Sequence, residues 1–302
     1  MNAEFFTIAI CTYNRAGVLP YALKAALAQT LSASHYEILI IDNNSTDETP
    51  KIVEDSTRSH AHIRALRESR QGLSFARNRA YEEARGDVII YVDDDAEMAP
   101  QYLENLKRIW EEEKEIGALG GPIEVGWLGP VPSWYEPGMD RVFNYLYNGS
   151  YRMKIYYPML IYGTNMAFPV TLLKKIGGFQ TNLGRIGEHP LSGEDIEILL
   201  RLEKRENLPV LYDPALKVRH LISPERLSPE YILYKTFWIG RSQRLLERQY
   251  HIRGGLGNAL WSLFESYIRQ FFGRIPGRLT EKTIQAMSRG YLREWWAHPE
   301  IF

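Results

Sequence analysis

The first 110 residues alternate short apolar runs with segments in which apolar residues recur at helical spacing. The apolar runs occupy residues 5–11, 36–42 and 87–93, and residues 63–67 resemble a further short strand. The first helical stripe consists of Leu19, Ala22, Leu23, Ala26 and Leu27. Strands that alternate with helices in this way predict an α/β fold with a parallel, doubly wound sheet. Ligands bind such sheets at the carboxyl ends of the strands, so the residues that follow each run are the first candidates for function.

The second part of the chain departs from this alternation. Residues 117–159 are rich in Gly, Pro and aromatic residues and predict strands joined by a long loop. A further strand is expected over residues 161–168 and a helix over residues 196–205. From Pro229 onward the pattern indicates helices only, so we expect the chain to end in a helical extension.

Composition and charge argue against several classes of protein. The formal net charge is −1 over 302 residues, which gives no global attraction for nucleic acid. No run approaches the roughly 18 apolar residues that a membrane span requires, and no secretory leader is visible. The single cysteine, Cys11, lies in an apolar run and has no partner for an internal disulfide. These features predict a cytoplasmic protein without a nucleic-acid partner.

Three consecutive acids, Asp93, Asp94 and Asp95, end the apolar run 88–92. Adjacent carboxylates repel one another, so a cation normally compensates them. Carboxylate oxygens suit Mg²⁺ or Mn²⁺, which keep open positions for phosphate oxygens. The alternative is a solvated acidic turn before the next helix. The position at a sheet edge favours a metal site.

Polar residues also follow the first two runs. The run 12–15 (Thr-Tyr-Asn-Arg) offers a ring to stack on a base and a guanidinium for a diphosphate. Asp42 ends the second run and can accept from a base N–H. Asp47, Ser45 and Thr46 are equally typical of a turn and the cap of the following helix. Taken singly, these residues favour neither interpretation strongly.

Two features of the second part also have two interpretations. Residues 192–195 (Ser-Gly-Glu-Asp) open a helix, and Ser192 with Asp195 fits a capping box. Alternatively, one of the two acids is a general base held beside the substrate. His220 is either a structural histidine or a ligand that completes a metal site begun by the aspartates.

Together, these motifs resemble family two of the inverting glycosyltransferases, which have the GT-A fold. The ordered set comprises residues 12–15, Asp42 to Asp47, Gly72 with 76–78 (Ala-Arg-Asn), 93–95, 177–179 (Gly-Gly-Phe) and 193–195. Each motif alone is weak, but their order and spacing match over roughly residues 5–222. The resemblance implies a Rossmann-like, nucleotide-diphospho-sugar transferase fold with a mixed, mainly parallel sheet, flanking helices and a C-terminal helical extension.

The resemblance also implies roles for individual residues. Nucleotide contacts fall on Thr12, Tyr13, Arg15, Asp42, Arg77, Asp93 and Asp94. Metal ligands fall on Asp93, Asp95 and His220, for Mn²⁺ or Mg²⁺. The donor-sugar pocket is lined by Gly163, Thr164 and Asn165. Asp195 matches the family's catalytic base, and Glu194 stands beside it on acceptor or sugar.

The resemblance further implies an organisation and a reaction. The catalytic domain comprises residues 1–228, with a nucleotide-binding half (1–116) and an acceptor and sugar half (117–228), followed by a helical extension (229–302). The donor is a nucleotide sugar, and the resemblance favours a UDP-sugar because members of the family commonly use one. The acceptor is a saccharide or a lipid-linked molecule, as in polysaccharide or glycoconjugate biosynthesis. The Gln-x-x-Arg-Trp signature of processive members is absent.

The helical extension carries a local charge that the whole chain does not. Between Glu225 and Trp295 there are 12 Lys or Arg against 6 Glu. A stripe at helical spacing lies within it, formed by Leu260, Leu263, Phe264, Tyr267, Ile268 and Phe271. This stripe either packs on the catalytic domain or a second subunit, or it makes peripheral contact with the inner face of an anionic membrane.

Two other functions stay open from the sequence alone. A sugar-phosphate nucleotidyltransferase would share a nucleotide-binding α/β half and acid-bound Mg²⁺, but usually has a Gly/Arg/Lys-rich loop after its first strand. A non-catalytic subunit that binds nucleotide sugars would not need Asp93, Asp95 and Asp195 together. The sequence therefore favours a glycosyltransferase.

Overall fold

The computed structural model describes residues 4–113, 115–135, 139–186, 190–252, 258–263, 266 and 279–297. Strands β1 to β11 comprise Phe6–Thr12, Tyr36–Asp42, Ile63–Arg67, Val88–Asp93, Ala96–Met98, Ala118–Gly120, Ile123–Trp127, Met153–Ile155, Asn165–Pro169, Val210–Tyr212 and Val218–Ile222. Helices α1 to α8 comprise Leu19–Leu27, Thr49–Ser59, Leu73–Glu83, Tyr102–Glu112, Val170–Ile176, Glu194–Arg201, Pro229–Gln249 and Leu279–Ala297. A short 3₁₀ helix spans Met139–Phe143, and a π-helical turn, Leu202–Glu206, extends α6.

Eight strands form one mixed sheet in the order β3-β2-β1-β4-β9-β6-β10-β8. The first four strands are parallel, as the alternating pattern predicted. Strand β9 then runs antiparallel between β4 and β6. A second sheet, β5-β11-β7, lies beside the first in the fold and brings β11 into the site described below. The prediction of a mixed α/β sheet with flanking helices is confirmed.

The two faces of the main sheet bury alternate residues of the same strands. Ile8 and Ile10 of β1 join one apolar cluster with helices α1 and α4. Ala9 of β1, with Leu39 and Ile41 of β2, joins a second cluster that includes α3, α5 and α6. Because side chains alternate along a strand, both faces must be covered by helices. This requirement explains why the runs are apolar throughout rather than alternating.

Several predicted boundaries match the structure, and others differ for identifiable reasons. Strands β2 and β3 begin and end at the predicted boundaries, residues 36–42 and 63–67. Strand β9 begins at Asn165 rather than Ile161, because a turn precedes it in which the backbone N–H of Asn165 donates to the carbonyl oxygen of Tyr162 at 2.8 Å. The expectation that Ser45 or Thr46 caps α2 is wrong, since that helix begins at Thr49 and Glu48 occupies the N-cap.

The C-terminal helices pack on the α/β part through an apolar cluster. Ile232 of α7 and Leu279 of α8 are buried there with Met139, Phe143 and Ile222. The helical extension expected beyond residue 228 is therefore joined to the catalytic part by a shared core. None of the described helices is long and apolar enough to cross a membrane. Within the predicted stripe, Leu260 is exposed, while Phe264, Tyr267, Ile268 and Phe271 lie outside the described residues.

Helices α7 and α8 cross with their backbones nearly in contact. A Cβ atom added at Gly240 would lie 1.9 Å from the Met287 carbonyl oxygen, and one at Gly290 would lie 1.8 Å from the Phe237 carbonyl oxygen. Both distances are far below any van der Waals contact. The close crossing therefore requires glycine on each helix.

We expect Gly290→Ala to lower the free energy of unfolding by about 1–3 kcal/mol or more, because the two backbones must separate. Urea denaturation followed by circular dichroism measures this change. Gly17→Ala is the control, since a Cβ at Gly17 meets no atom within 4 Å. Equal stability of the two variants would contradict the close crossing.

Candidate active site

Strands β1, β2 and β4 end side by side, so the polar residues after them meet at one edge. Thr12 lies opposite Asp42, and Cys11 lies opposite Asp93. The loops after β1 and β2 are joined by hydrogen bonds. The backbone N–H of Asn14 donates to Ser45 Oγ (3.0 Å), and that of Thr46 donates to Asn14 Oδ1 (2.8 Å).

The acids of the second loop have structural partners. Asp42 is buried, and its Oδ1 accepts from the backbone N–H of Ser45 at 3.0 Å. Asp47 accepts from the backbone N–H groups of Thr49 (2.9 Å) and Ala16 (3.2 Å), so its carboxylate holds the β1 and β2 loops together. The structure therefore gives Asp47 the local turn role, and it places Asp42 at the strand end where a nucleotide base was predicted.

Asp94 and Asp95 are buried on the side of the edge next to Arg15. The Arg15 guanidinium lies 3.6 Å from a carboxylate oxygen of each. Burial, partly offset by Arg15, raises the pKa of Asp94 to about 7. Burial also opposes ionisation of Asp95, but His220 and Arg15 outweigh it and lower the pKa of Asp95 to about 2.

His220 reaches Asp95 from strand β11. Its Nδ1 donates to the carbonyl oxygen of Phe143 at 2.8 Å, and its Nε2 lies 3.3 Å from Asp95 Oδ1. Although burial opposes the charged imidazole, Asp95 raises the pKa of His220. The other oxygen of Asp95 accepts from Arg226 Nη1 at 2.5 Å. Asp95 is thus the meeting point of β4, β11 and the segment before α7.

Arg77 of α3 occupies the other side of the acid cluster. Its side chain is 3% exposed, with Nη1 2.8 Å from Glu194 Oε1 and Nη2 3.4 Å from Asp93 Oδ1. Burial opposes the charge, but Glu194 and Asp93 raise the pKa of Arg77. The second oxygen of Asp93 accepts from the Thr164 hydroxyl at 2.6 Å. The structure therefore places Arg77, a predicted nucleotide contact, between two acids.

Gly163 makes room for this guanidinium. A Cβ at position 163 would lie 2.4 Å from Arg77 Nη2, so only glycine lets the backbone approach Arg77 this closely. Its backbone N–H donates to Asp195 Oδ2 at 3.1 Å. Gly163 and Thr164 thus lie beside Asp195 and Asp93, respectively. The Asn165 side chain is turned inward, where it accepts from the Tyr102 hydroxyl (2.6 Å) and donates to the Leu216 carbonyl oxygen (2.8 Å).

The start of α6 presents its two acids differently. The capping box formed by Ser192 and Asp195, one of the two interpretations of the sequence, is wrong. Gly193 is the N-cap, with φ 100°, and its helix has no side-chain hydrogen bond at the cap. Burial and the charge of Asp195 raise the pKa of Glu194 to about 7, although Arg77 opposes this. Asp195 is only partly buried, and its Oδ2 meets the Gly163 amide. Of the two acids, Asp195 is the more accessible.

One cation of the site was not identified from the sequence. Lys235 of α7 donates from Nζ to the carbonyl oxygen of Val142 at 2.6 Å. It borders the same small cavity as His220 and Arg226. No motif marks Lys235, because it lies on a helix whose surroundings depend on the tertiary fold.

The residues present suit a metal ion only in combination with other ligands. Among the described residues, no group of three or more His, Cys, Asp or Glu could hold a metal alone. Two ligands of one octahedral ion lie roughly 3 Å apart, and Asp95 Oδ1 and His220 Nε2 are 3.3 Å apart. The Nδ1–H bond to Phe143 leaves Nε2 as the coordinating atom once the imidazole is neutral. Asp95 and His220 therefore fit as a pair of ligands, and Asp93 is engaged elsewhere.

With this geometry established, comparison with known proteins identifies the class. The model of glycosyl transferase family 2 matches residues 7–177, more than half of the chain. The chain belongs to this family and is a glycosyltransferase. It is 24% identical over 253 residues to a glucosyl-dolichyl phosphate glucuronosyltransferase of Haloferax volcanii, which covers 81% of this chain and 78% of the relative. It is 23% identical over 180 residues to the putative glycosyltransferase EpsH of Bacillus subtilis, covering 56% of this chain and 52% of that protein.

Solved structures agree on the fold. The mannosyltransferase PcManGT from Pyrobaculum calidifontis superposes with a TM-score of 0.66 at 17% identity, covering 99% of this chain and 88% of its own. TarS residues 1–349 from S. aureus superpose with a TM-score of 0.55 at 16% identity, covering 99% of this chain and 93% of the TarS chain. The predicted GT-A fold is confirmed.

Proposed function

We propose that this glycosyltransferase inverts the anomeric centre as it transfers a sugar from a UDP-sugar to a hydroxyl of a lipid-linked saccharide. The observation that carries the proposal is the placement of two acidic groups on either side of Arg77. Asp93 to Asp95 lie at the end of β4, and Asp195 lies at the start of α6. The first group would hold a metal ion that stabilises the leaving diphosphate, and the second would accept the proton of the attacking hydroxyl.

The donor nucleotide would lie along the ends of β1 and β2. Asp42 is at the strand end, where its Oδ2 would accept from the N3–H of uracil while Oδ1 accepts from the Ser45 amide. Tyr13, partly exposed in the loop after β1, offers a ring for stacking. Among the similar structures, TarS is in complex with UDP and PcManGT with GDP-Man, so a panel of both nucleotides tests this choice.

Asp95 and His220 would hold a divalent cation, Mn²⁺ or Mg²⁺. Bound there, the ion would act as a Lewis acid that stabilises the negative charge of the departing diphosphate. PcManGT carries Mn²⁺ in its complex, which supports a metal in this fold. Arg15 lies within 3.6 Å of both Asp94 and Asp95, so its guanidinium can also contact phosphate oxygens.

Asp195 would remove the proton from the acceptor hydroxyl. Its carboxylate is oriented by the Gly163 amide and lies at the N-terminus of α6, where the helix dipole favours negative charge. The hydroxyl oxygen then attacks the anomeric carbon, and the bond to the diphosphate breaks on the opposite face. No enzyme nucleophile is required, so the configuration inverts. Glu194, buried against Arg77, would position that guanidinium.

The acceptor class rests on the relative that covers most of the chain. That Haloferax volcanii protein is named for a glucosyl-dolichyl phosphate, a sugar on a lipid phosphate. The proposal extends this chemistry, a saccharide hydroxyl on a lipid carrier, to the present chain. Residues 1–228 would form the catalytic domain and 229–302 its extension. Membrane contact or dimerisation through the C-terminal helices stays a prediction.

Release of nucleotide from the donor should require Mn²⁺ or Mg²⁺ and stop in EDTA. Asp95→Asn and His220→Gln should each raise the Mn²⁺ concentration needed for half-maximal release by about 10-fold or more, because each removes a ligand. Nucleotide release from UDP- and GDP-sugars, titrated with Mn²⁺, measures this requirement.

The control for the metal titration is His35→Gln, at the amino edge of β2 and away from the site. This variant should titrate like the unchanged chain. Full activity in the presence of chelator would remove the metal from the proposal.

Asp195→Asn should lower transfer to the acceptor by about 10²–10⁴-fold, the usual contribution of a positioned base. Donor affinity should be retained, because the nucleotide and metal residues are unchanged. An anionic nucleophile such as azide needs no proton removed, so it should restore cleavage of the donor by this variant. Product formation by mass spectrometry and donor affinity by calorimetry give the two readouts.

Glu194→Gln is the informative comparison, and Asp55→Asn on the exposed face of α2 is the inert control. Glu194→Gln should weaken donor binding and stability together, because Arg77 loses a buried partner. The assignment of the base is wrong if Asp195→Asn transfers normally while Glu194→Gln loses transfer and regains donor cleavage with azide.

A further inference from the structure

Helix α7 lies outside the residues matched by the family model, yet it places a cation beside the site. Lys235 is half-buried and borders a small cavity with His220 and Arg226. The remaining walls include Phe143, Ile222 and Ile232, which are apolar. The cavity therefore presents cationic groups along one part of a wall that is otherwise mainly apolar.

The same short helix positions both Lys235 and His220. The carbonyl oxygen of Val142 accepts from Lys235 Nζ at 2.6 Å, and the next carbonyl, of Phe143, accepts from His220 Nδ1 at 2.8 Å. Asn144 follows in the left-handed region with φ 64°, and its Oδ1 lies 3.4 Å from Lys235 Nζ. The end of the Met139–Phe143 helix thus orients two nitrogen groups into one cavity.

A half-buried ammonium normally has an acidic partner. Lys235 donates instead to neutral oxygens, and within the described part of the chain no carboxylate oxygen lies within 4.0 Å of its Nζ. Burial and Arg185 lower the pKa of Lys235 to about 8, although Asp95 and Asp93 oppose this. An ammonium in this setting gains most from an anion that enters the cavity.

The neighbouring groups indicate which anion. Arg226 already donates to Asp95 at 2.5 Å, and Arg15 lies 3.6 Å from the same carboxylate. At this end of the site three cations, Arg15, Arg226 and Lys235, thus lie with the two acids Asp94 and Asp95. A compact, doubly charged group with several acceptor oxygens meets this excess, and a phosphate has these properties.

We propose that Lys235 binds an oxygen of the terminal phosphate of the nucleoside diphosphate, beside His220 and Arg226. This inference rests on the proposed function, since it assumes a nucleotide diphosphate at Asp95 and His220. It makes α7 part of the active site. The helical extension would then contribute to binding of the leaving group as well as to the packed core.

Affinity of the full chain for UDP, UMP and uridine in Mn²⁺, measured by calorimetry, tests the proposal, with GDP, GMP and guanosine in parallel. Lys235→Gln keeps an amide that can donate to Val142 but carries no charge. It should bind the diphosphate about 10- to 100-fold more weakly, as expected for loss of a charged hydrogen bond, and the monophosphate within about 2-fold of the unchanged chain. Lys235→Arg should retain most of the diphosphate affinity. Lys217→Gln, an exposed lysine before β11, is the control.

The contrary outcomes are distinct. Equal diphosphate affinity of Lys235→Gln and the unchanged chain overturns the inference and leaves the proposed function intact. So does a parallel loss for diphosphate and monophosphate with a lower melting temperature, which indicates a structural lysine. A higher KM for a lipid-phosphate acceptor with unchanged diphosphate affinity assigns Lys235 to the acceptor and also overturns it. If the unchanged chain binds none of these nucleotides, the proposed function fails first.

Discussion

Arg77 is buried between two acids that come from different halves of the chain. Asp93 ends β4 in the first half, and Glu194 begins α6 in the second, 117 residues from Arg77. A buried guanidinium without partners costs several kcal/mol, and removing one partner of a buried pair typically costs about 3–5 kcal/mol. The geometry of the site therefore depends on both acids staying in place. The pair of contacts holds the strand end that faces the diphosphate against the helix that carries Asp195.

The charged residues of the site form two sets, one around Arg77 and one around Asp94 and Asp95. Arg77 engages Asp93 and Glu194, so both carboxylates have a cationic partner in the absence of substrate. Asp94 and Asp95 face Arg15, and Asp95 also faces His220 and Arg226. Binding of a metal and a diphosphate would change the partners of Asp95 in this second set. The contacts of Arg77 with Asp93 and Glu194 would stay as they are. Asp195 remains accessible at the boundary between the two.

The part of the fold that local patterns determine could be predicted. The patterns at residues 36–42 and 63–67 predicted the ends of β2 and β3. Strand β2 is buried along its whole length, which requires a mainly apolar sequence. The location of the acid cluster at the end of β4 could also be predicted, because parallel strands bring their carboxyl ends to one edge of the sheet. The GT-A fold and the family came from the ordered set of motifs.

The contacts that depend on distant residues could not be predicted from local patterns. Asn165 looked like a pocket residue, but Tyr102 and Leu216 draw its amide into the interior. The helix α6 begins at a glycine with φ 100 rather than at Ser192, because the backbone turns sharply there. Lys235 carries no motif and is placed by the packing of α7 on the 139–143 helix. For Asn165 and Lys235 the deciding partners are far away along the chain.

A double-mutant cycle in urea denaturation tests most directly whether Arg77 and Glu194 hold the two halves together. Arg77→Met, Glu194→Gln and the combined variant are compared with the unchanged chain. The account predicts a coupling free energy of about 1–3 kcal/mol, because each single change leaves the other buried charge without its opposite charge at this contact, whereas the combined change removes both charges. Additive effects, within about 0.5 kcal/mol, would contradict it.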